Sequence, residues 1–152
     1  MPDGHALDTK LLMRLLRDNA NFDEFLARGG NAVNNPTLPE CLLRHLSESE
    51  KTVAQIAEAS MLSQSFAYQV FSGIRKPGRN ALISIALALG LGVEKTQRLL
   101  VVAQKGELYP RVRRDAAILF AIEHGYSLSQ AEELLQSAGE ASLLSRTYRD
   151  SF

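Results

Sequence analysis

Apolar residues recur at helical spacing through most of the chain, and the period-two alternation of strands is almost absent. Leu11, Leu12, Leu15 and Leu16 form one stripe behind Asp8, a candidate cap. A short second segment, Phe22 to Arg28, stops at Gly29–Gly30, so an N-terminal helical hairpin is expected. NAVNNP follows, rich in turn formers, and residues 31–36 are the best linker in the chain.

Past the linker, helix starts are written in capping signals. Thr37 stands three residues before Glu40, and Thr52 three before Gln55; in each pair a hydroxyl and a side-chain oxygen satisfy backbone donors of a first turn. Cys41, Leu42, Leu43 and Leu46 supply a buried stripe for the first of these helices, and Val53, Ile56 and Ala57 for a short second one. Ser63 is a candidate N-cap for a third, with Ala67 and Val70 inward. Gly73 ends it, Pro77 prevents its continuation, and apolar helices are predicted from Arg79 to about Leu89 and from Val93 to Ala103.

A shift of 35 residues lays the segment beginning at Arg79 on the one beginning at Arg114 without a gap. Ala81, Ile83, Ala86, Gly90, Leu99 and Leu100 fall on Ala116, Ile118, Ala121, Gly125, Leu134 and Leu135. Leu108, Arg111, Arg114 and Asp115 fall on Leu143, Arg146, Arg149 and Asp150. Amphipathicity accounts for shared apolar positions but not for the glycine or the Arg-Asp pair, so a helical-hairpin repeat is expected, with YRDSF as the stub of a third copy. Its period is close to that of tetratricopeptide units, whose motif residues are missing. Gly90 and Gly125 should both end helices, and Asp115 should lie in the first turns of one, with Arg114 or Arg111 as its partner.

The order of short helix, tight turn, helix, glycine, basic residues, proline and long apolar helix, running from about Leu38 to Leu100, resembles the phage-repressor or Xre-type helix-turn-helix family. Ala57 matches the small residue of its second helix, Ser63 the serine that opens its recognition helix, and Gly73, Arg75, Lys76 and Pro77 the punctuation after it. The whole chain looks like a group of bacterial helix-turn-helix proteins with a YQVFSGIRKPGRN stretch, then LYPR…RD and a further hairpin. The matching residues are Tyr68, Gln69, Phe71, Gly73, Arg75, Pro77, Arg79, Leu108, Tyr109, Arg111, Arg114 and Asp115.

That resemblance implies an all-α protein in three parts: an N-terminal helical hairpin and linker over 1–36, a helix-turn-helix domain over 37–106, and a C-terminal helical extension over 107–152. It implies a sequence-specific DNA-binding transcriptional regulator, with Gln64, Ser65, Phe66, Tyr68 and Gln69 toward the major groove and Arg75, Lys76 and Arg79 on phosphates. The residue types suit those roles: glutamine reaches adenine edges bidentately, serine donates or accepts, and tyrosine stacks or meets a thymine methyl. Arginine and lysine add affinity through counterion release. The partners implied are double-stranded DNA and a second copy of the chain, since a two-fold protein matches a palindromic operator. Met61 stands where the family usually has a turn glycine, so that turn avoids positive φ or accepts strain of about 1 kcal/mol.

Composition makes any DNA site local. The 152 residues are 45% apolar and 22% charged with a formal net charge of +0, enough to bury a real core but with no global positive field. From Leu38 to Asn80, five cations stand against four carboxylates. Phe66, Tyr68 and Phe71 in the same stretch support an alternative, an all-helical protein–protein interaction module that keeps the fold without reading DNA. Cys41 has no partner for an internal disulfide, MPDGHALDTK lacks the features of a signal peptide, and NALISIALALGLGV is too short to span a bilayer. A cytoplasmic protein with no membrane segment is expected. His5, His45 and His124 lack metal-ligand spacing, and Gly90-Leu-Gly92 lacks the lysine of a phosphate loop; neither a cofactor nor an enzyme is expected. Glu132–Glu133 reads as a solvated helix face.

Overall fold

Capping and apolar spacing become nine α-helices and no strand among the described residues, which in this computed structural model are 9–29 and 36–144. They are α1 (Thr9–Asp18), α2 (Phe22–Gly29), α3 (Leu38–Ser49), α4 (Val53–Ala59), α5 (Gln64–Ser72), α6 (Arg79–Leu89), α7 (Val93–Val102), α8 (Arg113–Glu123) and α9 (Leu128–Ser137). The fold is all-α. The chain divides into two compact units, Met1–Pro36 and Thr37–Phe152.

In the first unit α1 packs on α2. Gly29 is buried because a Cβ there would stand 3.2 Å from Leu12 Cδ2 and 3.4 Å from Leu15 Cδ1. Leu16, expected on the inner stripe, is exposed. The Asp8 cap and most of the linker lie outside the described residues.

In the second unit α6 is the central helix: every residue from Ala81 to Leu89 is buried, and α3, α4, α7 and α9 pack around it. Leu82, Ile83 and Ile85 are almost fully enclosed, each contributing on the order of 2 kcal/mol by leaving water. Both expected capping boxes form, with Glu40 N–H donating to Thr37 Oγ1 at 3.2 Å and Gln55 N–H to Thr52 Oγ1 at 3.1 Å. The hydrogen bonds that the Thr37 backbone and hydroxyl return hold the Glu40 carboxyl below its ordinary pKa. A third box, Ser127 with Gln130, starts α9. Leu43 departs from the expected α3 stripe and is 49% exposed, its place inside taken by Cys41, Leu42 and His45.

The two hairpins α6–α7 and α8–α9 use the same bonds 35 residues apart. Gly90 has φ 71° and Gly125 φ 66°; each donates to the carbonyl three residues back, and the next residue donates to the carbonyl five back, closing a Schellman end. Arg79 Nε donates to the Gly106 carbonyl at 2.8 Å, and Arg114 Nε to that of Ala141 at 2.8 Å. Leu108 N–H donates to the Gln97 side chain, and Leu143 N–H to that of Glu132, both at 2.8 Å. Arg149, Asp150 and the expected third copy lie outside the described residues.

Candidate nucleic-acid interface

Four residues, Ser60 to Ser63, join α4 to α5, and the two helices pack against each other. Ala57 is buried at their contact. The chain turns at Met61, which takes φ 56°: the turn accepts the left-handed backbone. Leu62 N–H donates to the Ala57 carbonyl at 2.9 Å, and the buried Ser60 hydroxyl donates to that of Ile56 at 2.6 Å. Ser63 then caps α5, accepting from Phe66 N–H at 3.1 Å.

Helical spacing sorts the α5 side chains. Ala67, Val70 and Phe71 go to the core; Gln64, Ser65 and Tyr68 are exposed and Gln69 is half-buried. Phe66 departs from the groove-facing set: it is half-buried and packs against the core, while Tyr68 is 52% exposed. Phe71 adds no surface, being buried. Gly73 ends α5 at φ 87°, where a Cβ would meet Pro39 Cγ at 3.0 Å, and the Gln69 carbonyl accepts from both Ile74 and Arg75 N–H. Ile74, just past the helix, is 75% exposed.

The basic residues separate into two groups. Arg75 is half-buried and Lys76 exposed beside the end of α5, and both line a cleft of about 440 Å³. Arg79 does something other than flank that surface. Its guanidinium donates to the carbonyls of Gly106 and Glu107 at 2.8 and 2.9 Å and to both carboxylate oxygens of Asp115 at 3.3 and 3.1 Å. All three of its nitrogens are engaged inside the fold, which fastens the start of α6 to that of α8. Arg79, not Arg114 or Arg111, is thus the partner of Asp115, which also accepts from Tyr109 N–H at 2.9 Å. Arg114 instead donates to Asn80 Oδ1 at 3.0 Å and to the Ala141 and Ser142 carbonyls.

Lys105 is the residue that sequence reasoning missed. It joins Arg75 and Lys76 in the same cleft although about thirty positions separate it from them, and no motif marks it. Elsewhere, His124 sits at the end of α8 with Nδ1 2.9 Å from the Phe120 carbonyl and its ring stacked on Phe120. Among the described residues no group of three His, Cys, Asp or Glu side chains is arranged to hold a metal, and no helix is long and apolar enough to cross a membrane. Compared with known proteins, the chain matches no family model, no curated protein and no solved structure.

Proposed function

We propose that this chain is a sequence-specific DNA-binding transcriptional regulator that lays α5 in the major groove. The observation that carries the reading is the sorting of α5: Gln64, Ser65 and Tyr68 stand outward with Gln69 at their edge, on a helix held by its core face and followed at once by Arg75 and Lys76. Glutamine and serine at consecutive outward positions supply both donors and acceptors for base edges, and the cations that follow suit phosphates. Arg79 is left out of the site, because its donors are used within the fold. On a palindromic operator two copies would bind about the two-fold axis. The test is a titration of the purified chain against genomic fragments at two salt concentrations. Binding that weakens steeply with salt and selects a common sequence supports the reading; salt-independent or absent binding overturns it.

A second reading, a protein–protein interaction module, rests on a different observation. Met61, Tyr68 and Ile74, before, within and just after α5, are 49%, 52% and 75% exposed. Apolar surface of that extent beside one helix suits a protein partner. Under this reading Tyr68→Ala and Ile74→Ser abolish partner capture, while Lys76→Gln leaves it unchanged.

A further inference from the structure

The cleft that Arg75, Lys76 and Lys105 share lies between the start of α3, the end of α5 and the end of α7. Among the described residues no carboxylate lines it, although the chain as a whole has 17 Lys and Arg against 17 Asp and Glu. The side chains of Lys76 and Lys105 have no hydrogen-bond or ion-pair partner among the described residues. The ammonium groups of Lys76 and Lys105 on one concave wall focus a positive potential into it, which an anion relieves. Leu38, Val70 and Pro77 give it an apolar side, and its volume of about 440 Å³ lies in the range of small-ligand pockets.

The repeat geometry does not ask for this charge. Thirty-five residues on, the position of Lys105 is taken by Glu140, which pairs with Arg113 at 3.3 Å, and the matching turn is made by Gly139 at φ 73°. At the cleft the same turn is made by Gln104 at φ 58°, a strained conformation for a residue with a Cβ. At this turn the charge is reversed between the two hairpins, Lys105 in one and Glu140 in the other.

We propose that the cleft is a binding site for a phosphate group, borne by a free nucleotide or by a DNA backbone, with Arg75, Lys76 and Lys105 on the phosphate and the Leu38, Val70 and Pro77 wall against the attached sugar or base. It is separate from base reading by α5. The probes are ADP, adenosine and a random-sequence DNA duplex, added to the full chain and to its Lys76→Gln and Lys105→Gln variants, with Lys95→Gln as a control outside the cleft. ADP is expected to bind and to raise the melting temperature, adenosine is not, and each cleft variant should weaken ADP roughly tenfold while the control does not. If only the duplex binds, and Lys105→Gln weakens it, the phosphate is that of DNA. If ADP binds through Lys105 and no duplex binds, the site stands and base reading by α5 fails. Binding of neither probe, or binding of ADP or duplex that neither cleft variant changes, overturns the proposal.

Discussion

Met61 shows what a single residue gives up for the turn before α5. A left-handed backbone at φ 56° costs a side-chain-bearing residue about 1 kcal/mol that glycine does not lose, and Met61, half exposed, has little packing to set against it. Met61→Gly is therefore expected to raise stability by about 1 kcal/mol in urea denaturation with the slope unchanged; a loss of stability would show that the methionine packs more than its exposure indicates. His45 makes a pH-dependent contribution. Burial chiefly, then Arg44, with Lys95 adding and Glu48 opposing at 3.6 Å, push its pKa below the ordinary 6.5; Glu94 and Glu123 line the same pocket. A lowered value means that the unfolded chain takes up the proton first, so stability is present in full above pH 6.5 and falls as the pH drops toward the lowered folded value. His45→Gln should flatten the decline that sets in as the pH falls below 6.5, measured as unfolding free energy against pH.

Between elements, the two hairpins share hydrogen bonds as well as residue types. Gly90 and Gly125 both sit at left-handed helix ends where an added Cβ meets nothing within 4 Å, so the cost of substitution is purely conformational. Gly90→Ala and Gly125→Ala should each lower stability by about 1 kcal/mol, equally within error, and the two effects should add in the double variant. Unequal losses would mean that the hairpins are not equivalent. The Arg79–Asp115 pair joins α6 to α8 with Asp115 almost enclosed and Arg79 partly open. Asp115→Ala strands a guanidinium and the Tyr109 N–H together, and a loss of about 2 to 3 kcal/mol in thermal unfolding is expected, more than helix-dipole compensation alone would give. Arg79→Lys, with Asp115 intact, should also be destabilised, since an ammonium cannot match a fork that reaches two carbonyls and a carboxylate at once.

For the whole molecule, zero net charge means that the proposed DNA binding would have to rest on a local patch. Under the proposed function Gln69→Ala relaxes sequence preference at a cost of about 1 to 3 kcal/mol for a lost bidentate contact. Arg75→Ala weakens binding on all sequences and lowers the salt slope by about one unit. Arg79→Ala acts otherwise: it destabilises the fold, and once the protein is kept folded by lower temperature its salt slope matches that of the parent. A slope reduced by one in that variant would return Arg79 to the phosphate set.

Local chemistry was legible in the sequence wherever neighbours along the chain determine it. Thr37 with Glu40, Thr52 with Gln55, Ser63, Gly73 and Gly90 mark helix ends because a cap satisfies backbone groups three or four residues away. The inward placement of Ala67 and Val70 on α5 followed from spacing alone; that of Phe71 did not. What spacing could not decide was which of two adjacent surface-edge residues the neighbours would cover: Leu43 and Leu16 fit their stripes yet are exposed, while Phe66 leans on the core and Tyr68 does not. Nor could it assign long-range charge. Whether Arg79 faces solvent or Asp115, and whether Lys105 stands alone or beside Arg75 and Lys76, depends on how distant helix ends meet. Helices and their ends are written locally, since near neighbours satisfy the backbone hydrogen bonds; that Arg79 is drawn into the fold while Lys76 and Lys105 share a cleft depends on residues brought together by packing.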